Sequence, residues 1–227
     1  MGTTLSPTTR TRLTRHPERG RADRENLLSI IGEALVCHVG IVRDGEPVVL
    51  PTIHAVDPDG PDQGGTLYLH GSVAAGWLRQ APGQRLCATF TLVDAAVLSR
   101  APVSHSMNYR SAVVYGAARR VQDAEERSHA LALVVDHVVP GRSTTLRANT
   151  RKELAATTVI AIPLAEASVK ARTGGPQDEP EDVATGTWAG VVRLSVRAGA
   201  VEPDQDAPVP EDVLRRLADW GAPVPTR

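Results

Sequence analysis

The segment around Arg43-Asp44-Gly45-Glu46 constrains this chain more than any other. H-V-G-I-V (residues 38–42) precedes it and P-V-V-L-P-T-I (residues 47–53) comes after it. Asp-Gly readily takes the two left-handed positions of a tight hairpin turn, and runs rich in β-branched residues suit a pleated surface. Two antiparallel strands are therefore predicted. Aromatic residues make up only 3% of the 227, whereas Ala and Val are abundant, so the core must be built largely from small and β-branched side chains. Such a core favours sheets.

The remaining pattern extends this reading. A turn rich in Asp, Pro and Gly (residues 57–65) leads into the strand T-L-Y-L-H (66–70), a short helix from Ser72 to about Gln80, and a strand beginning near Arg85. Residues 107–121 read as one long strand, with Gly116 marking a bulge or a close backbone approach. T-V-I-A-I-P-L (158–164), A-S-V-K-A-R (167–172) and a final stretch over 188–196 are also extended. One helix starts at the N-cap Asp23, with Leu27, Leu28, Ile31 and Leu35 at helical spacing. A second follows Asp123, carrying Leu131, Val134, Val135 and Val138 on one stripe, and Thr150 with Glu153 has capping-box spacing. A short helix with Val213, Leu214 and Leu217 on one side closes the chain. This order lacks the regular strand-helix alternation of a doubly wound sheet. It predicts a mainly β (α+β) fold, an antiparallel barrel with peripheral helices. Residues 1–20 are expected to form a flexible arm, 21–201 the barrel domain, and 202–227 a Pro-rich segment ending in the short helix.

With 25 basic and 26 acidic residues the formal net charge is −1, which gives no reason to expect nucleic acid as a partner. No apolar run approaches the roughly 20 residues of a membrane span, and the polar, Arg- and Thr-rich start does not resemble a signal sequence, so a cytoplasmic location is expected. Cys37 and Cys87 sit in apolar stretches and read as small buried hydrophobes. Dinucleotide-binding, P-loop, zinc-protease and nucleophile-elbow motifs are absent, and no metal-ligand spacing occurs.

Three segments mix small residues with groups able to meet an anion or a flat ring. In L-P-T-I-H-A-V (50–56) a strand reaches Pro51, which cannot donate to a ladder, so an edge of backbone is left open. In Y-L-H-G-S-V-A-A-G-W (68–77) a strand ends in Gly71-Ser72 ahead of the short helix, where free amides favour a phosphate and a plain Ser N-cap is an equal reading. In S-M-N-Y-R-S-A-V-V-Y-G (106–116) Tyr109, Ser111 and Val113 share one strand face and Asn108 and Arg110 the other. Arg110 there is either a bidentate phosphate clamp or a salt-bridged sheet residue.

Taken together, Y-L-H-G-S (68–72) and M-N-Y-R-S-A-V-V-Y-G (107–116) resemble the pyridoxamine-phosphate-oxidase-like superfamily, in its flavin-binding, nitroimidazole-resistance-type branch. G-R-A-D (20–23), V-V-L-P-T (48–52), R-L-C-A-T-F (85–90) and the stretch from V-K-A-R-T-G-G (169–175) to W-A-G-V (188–191) fit the same pattern. The resemblance implies an FMN-binding split β-barrel acting as an oxidoreductase on a small-molecule substrate. It also implies a homodimer that holds FMN at its interface. Carried onto this chain, Pro51, Thr52 and Ile53 line the ring through backbone groups. His70, Gly71 and Ser72 approach the flavin or its phosphate, with His70 the candidate acid/base beside the ring. Tyr109, Arg110 and Ser111 lie on the binding strand, and Lys170, Arg172 and Trp188 are assigned to a lid or to the second subunit's side.

One departure stands out. Many relatives carry a Lys shortly after H-G-S, where this chain has Gly76-Trp77 and no base until Arg79. Phosphate charge then falls to Arg79, Arg110 or Arg21, and deazaflavin or haem are alternatives to FMN. The rival readings are a non-catalytic flavin or haem carrier or sensor, and a haem-degrading oxidase on the same barrel. For the latter, His54, His105, His129 or His137 would bind iron.

Overall fold

The computed structural model describes residues 4–5, 7–204 and 207–221. Eleven strands are found among them: β1 (Gly20–Arg21), β2 (Cys37–Arg43), β3 (Glu46–Thr52), β4 (His54–Asp57), β5 (Thr66–Ser72), β6 (Arg85–Leu98), β7 (Ser106–Ala117), β8 (Arg119–Arg120), β9 (Thr157–Pro163), β10 (Glu166–Arg172) and β11 (Gly190–Arg193). The helices are α1 (Arg24–Glu33), α2 (Gly76–Gln80), α3 (Ala124–Val138), α4 (Arg151–Ala156), α5 (Pro180–Ala184) and α6 (Glu211–Asp219). The strands form two antiparallel sheets. The larger runs β1-β10-β7-β6-β2-β3 with β11 added to β6, and the smaller runs β4-β5-β9-β8. This is the split, open form of the predicted barrel.

The β2–β3 hairpin turns where Asp-Gly requires it, with φ of 54° at Asp44 and 85° at Gly45. The chain passes from one sheet to the other four times, twice through a single residue: at Ile53, between β3 and β4, and at Ala118, between β7 and β8. The long strand expected over 107–121 is therefore two strands in different sheets. Gly116 explains the crossing, since a Cβ there would lie 2.5 Å from Ile162 Cγ2 and 3.2 Å from the Pro163 carbonyl of β9. The bulge itself falls on the partner strand, where register slips between Val93 and Ala95.

The core lies between the sheets and under α1. Leu27, Ile30 and Ile31 of α1 meet Val39 of β2, Phe90 of β6, and Ala112 and Val114 of β7, all buried. A fully buried Leu, Ile or Phe is worth about 1.5–3 kcal/mol, so the one Phe of the chain is well placed at the centre. α3 begins where expected, Asp123 accepting a hydrogen bond from the Glu126 amide at 2.8 Å. Thr150 and Glu153 form the full capping box of α4.

The stretch expected to be a flexible arm packs against its own chain where it is described. Leu5 and Thr11 are buried, and Glu166 of β10 accepts hydrogen bonds from Thr8 (2.6 Å) and from both ends of the Arg10 fork (2.9 Å each). Those bonds hold the Glu166 carboxyl down at about 2, with Arg10 the main cause. Polar composition hid this docking, because the attachment is ionic. The final strand is also shorter than predicted: Gly190–Arg193 rather than 188–196.

Candidate functional site

Two of the three segments singled out in the sequence meet at one corner. β4 pairs with β5 so that His54 faces Leu69, which sets Ile53 beside His70. β3 is an edge strand that carries Pro51 and Thr52 and is followed by Ile53, whose carbonyl accepts from the Thr52 hydroxyl at 3.2 Å. His70 is half-buried, and its Nδ1 is closed off from solvent with no hydrogen-bond partner among the described residues. Burial depresses its pKa, so the ring is neutral at pH 7. A polar atom shut in without a partner costs about 1–3 kcal/mol, which a ligand can recover.

Gly71 lets α2 close over the strand end, for a Cβ there would lie 2.7 Å from Leu78 Cδ1. The sequence starts this helix at Ser72, but it starts at Gly76. Ser72 Oγ instead accepts the Ala74 amide at 3.1 Å and the Val73 amide is spent on the Ala156 carbonyl at 3.0 Å, so these turn amides are not open to a phosphate. Trp77 packs against the core from α2. Arg79 is exposed and forms no ion pair or side-chain hydrogen bond among the described residues, which makes it the available cation of this corner. Arg21 donates to the Glu18 and Gly20 carbonyls instead.

The third segment does not join the corner within one chain. Tyr109 and Ser111 of β7 and Lys170 of β10 lie on the outer face of the larger sheet, away from buried Ala112 and Val114. β7 is three strand spacings from β3, about 14 Å. Ser111 Oγ donates to the Lys170 carbonyl at 3.3 Å and Lys170 Nζ to the Arg15 carbonyl at 2.9 Å. Arg172 is buried, donating to Asn108 Oδ1 at 2.5 Å and to the Gly175 carbonyl at 3.3 Å, so it is structural. Trp188 is 67% exposed ahead of β11. Arg110 is the salt-bridged version of the two readings: its guanidinium reaches Asp94 and Glu33, each at 2.8 Å from Nη2, and no open edge faces an anion.

A cleft of about 850 Å³ lies beside this corner, a volume within the range of about 300–1,000 Å³ typical of ligand sites. Its walls come from the end of α1, β2, β6, Arg110 of β7, the segment after β11, and α6 with Trp220 after it. Val36, Val93, Leu194 and Val196 line it, exposed by 42%, 45%, 45% and 79%. His38, Arg216 and Trp220 supply its polar and aromatic lining. Sequence reading passed over all three. The signal for His38 was its place in H-V-G-I-V, where Val39 and Ile41 face the core and His38 must face out.

Each histidine offered as an iron ligand has one ring nitrogen bonded among the described residues. His54 is fully buried, its Nε2 2.9 Å from the Ile31 carbonyl and its ring 4.8 Å from Phe90 and 4.3 Å from His137. Burial presses its pKa down to about 4. His137 Nε2 lies 2.9 Å from the Ala34 carbonyl and burial lowers its pKa as well. His105 is 3.2 Å from the Ala101 carbonyl and His129 2.9 Å from Asp57. None of these four lines the cleft. The described residues contain no cluster of three or more His, Cys, Asp or Glu suited to a metal ion, and no helix long and apolar enough to cross a membrane.

The sequence pattern of the family described as Pyridoxamine 5'-phosphate oxidase matches residues 23–171, from the cap of α1 through most of β10. The chain belongs to the pyridoxamine 5'-phosphate oxidase family. Solved structures of similar sequence agree with this. The flavocytochrome Anf3 from Azotobacter vinelandii is 34% identical with a TM-score of 0.83, the match covering 93% of this chain and 98% of that one. The FAD and haem binding protein from Mycobacterium smegmatis is 35% identical with a TM-score of 0.79, covering 87% and 97%. A candidate 5-nitroimidazole antibiotic resistance protein from Bacteroides thetaiotaomicron is 27% identical at a TM-score of 0.54, covering 66% and 85%. No curated protein matches. The family pattern ends at residue 171, whereas a match over 93% of the chain necessarily includes most of residues 172–227. The match therefore reaches past the family pattern into the C-terminal part of the chain.

Proposed function

We propose that this chain is a flavin- and haem-binding oxidoreductase that moves electrons from a small-molecule donor through its flavin to haem. The observation that carries this reading is near full-length similarity to a flavocytochrome and to an FAD and haem binding protein, against a shorter match to the nitroimidazole-resistance type. The corner of Pro51, Thr52, Ile53 and His70 is where the flavin ring fits, because it combines an open strand edge with an imidazole nitrogen lacking a partner among the described residues. FAD is favoured over the FMN of the family resemblance. Arg79, the available cation of the corner, suits the singly charged phosphates of a diphosphate better than a terminal dianion.

When bound, a flavin accepts a hydride and can release electrons singly, while haem iron passes them one at a time. The protein's own part is to bind and orient. Backbone groups of residues 51–53 present the ring edge, neutral His70 hydrogen-bonds it or holds a proton beside it, and α2 closes the strand end against water. A homodimer formed through the outer faces of the larger sheets would bring Tyr109, Ser111 and Lys170 of one subunit toward the corner of the other, which accounts for their distance within one chain. The test is the absorption spectrum of the purified protein with mass identification of released cofactors. FAD and haem are the expected result. Retention of neither, with no uptake on titration, overturns the reading.

A further inference from the structure

The structure assigns the haem to the cleft walled by α6, with His38 as its axial ligand; this rests on the reading that the chain carries haem. Haem needs a slot with apolar walls, an imidazole that reaches iron, and a cation for its propionates. Each requirement has a named group here.

The walls are Val36, Val93, Leu194 and Val196, which leave an apolar patch open to solvent around a recess of about 850 Å³. A contiguous exposed apolar surface of this kind marks a binding site, since leaving it in water forgoes the gain from burial. A flat macrocycle covers such a surface on both sides. His38 is the sole histidine among the residues lining the cleft. It points outward from β2, is exposed, and has no side-chain hydrogen bond among the described residues. A neutral imidazole with a free ring nitrogen is the usual protein ligand for haem iron.

Arg216 supplies the cation. Its Nε donates to the Val138 carbonyl at 2.9 Å and its Nη2 to the His137 carbonyl at 3.3 Å, and its guanidinium lies 4.5 Å over the Trp220 ring. Held on three sides, the fork keeps Nη1 for a carboxylate in the cleft. Among the acidic lining residues, Glu33 and Asp94 share the single positive charge of Arg110, and Asp219 lies on α6 with Arg216.

Position relative to the flavin corner completes the argument. β2 and β3 pair with His38 directly opposite Pro51, so their Cα atoms are about 4.5–5.5 Å apart and both side chains lie on the outer face. A haem held by His38 is then next to a flavin at residues 51–53. The residues that close the cleft from the C-terminal side, 194–196 and 216–220, lie wholly beyond the family pattern.

The full-length protein, stripped of haem and then titrated with hemin, tests this. The wild type should give a Soret band typical of histidine ligation at one haem per chain. His38→Ala should lose that signature and bind hemin at least tenfold more weakly, with imidazole added to the solution restoring the band. His38→Met should bind haem with a shifted Soret band and reduction potential. Flavin content, and the melting temperature of the haem-free proteins, should match the wild type in both variants, because His38 is exposed. A His38→Ala spectrum and affinity equal to wild type would overturn the assignment while leaving haem binding intact. Absence of a Soret band in the wild type, with flavin retained, would instead overturn the haem reading on which it rests.

Discussion

Acid should weaken this fold through one buried ring in particular. His54 sits in the core with Nε2 against the Ile31 carbonyl, and burial takes its pKa from 6.5 to about 4. In the unfolded chain the ring protonates as pH falls through 6.5, while in the folded chain it stays neutral until about 4. Stability from this site is therefore fully present above 6.5, declines across the window from 6.5 to 4, and is gone below it. The gap is worth roughly 3 kcal/mol at about 1.4 kcal/mol per unit, a large share of the 5–15 kcal/mol typical of a domain. His137, 4.3 Å away and also depressed by burial, adds in the same direction. The assay is urea unfolding between about pH 7 and pH 4 for the wild type and for His54→Gln, which keeps a donor toward the Ile31 carbonyl but does not titrate. Carboxylate contributions are common to both proteins and cancel in the difference. The wild type should lose roughly 3 kcal/mol more than the variant over this range. Parallel curves would refute the argument, for they would mean that the ring charges inside the fold at little cost.

Other expectations are simpler to check. Gly116→Ala should destabilise by about 1–3 kcal/mol in chemical unfolding, because the added Cβ meets Ile162 and the Pro163 backbone where β7 crosses β9. A neutral result would show that the two sheets slide apart freely at that crossing. Arg119→Met should cost roughly 2 kcal/mol, since it leaves mostly buried Asp62 and Glu126 without their shared cation and removes the charge that balances the carboxylate accepting from Tyr68. Arg79→Ala should weaken flavin binding about tenfold by fluorescence titration while leaving hemin affinity unchanged. Equal loss of both ligands would contradict the separation of the two sites.

Much of the fold was legible because local chemistry and tertiary role coincide. Asp44-Gly45 has one good conformation, and the residues around it can only pair. Asp123 and Thr150 stop the backbone where helices must begin. The failures occur where tertiary contact decides. Residues 107–121 are largely apolar and extended, so nothing local reveals that the strand changes sheets after Ala117; the crossing depends on Ile162, distant in the chain. The arm reads as unstructured because its composition is polar, yet Glu166 gathers Arg10, Thr8 and Arg85 into one ionic node.

The candidate site divides along the same line. Pro51 and Gly71 carry a backbone consequence visible in the sequence, an edge and a close approach, and the pairing of β4 with β5 sets Ile53 beside His70. Arg110 and Arg172 look like anion ligands in a string of letters, but a guanidinium is assigned by whichever carboxylate or carbonyl folds beside it, here Asp94, Glu33, Asn108 and Gly175. His38 shows the converse. In H-V-G-I-V it is one polar residue in a strand, and alternation alone predicts its outward direction. What gives it a role is the cleft wall supplied by residues 194–196 together with Arg216, Asp219 and Trp220, about 160 to 180 positions later in the chain. A histidine with no hydrogen-bond partner among the described residues, set beside exposed valines, is stable only in water or against a ligand, and the recess around it is large enough to hold one. The arrangement makes a sharp distinction between His38 and His70: substituting the first should alter the haem spectrum, and substituting the second should alter the flavin spectrum. A variant that disturbed both equally would show that the corner and the cleft are one site.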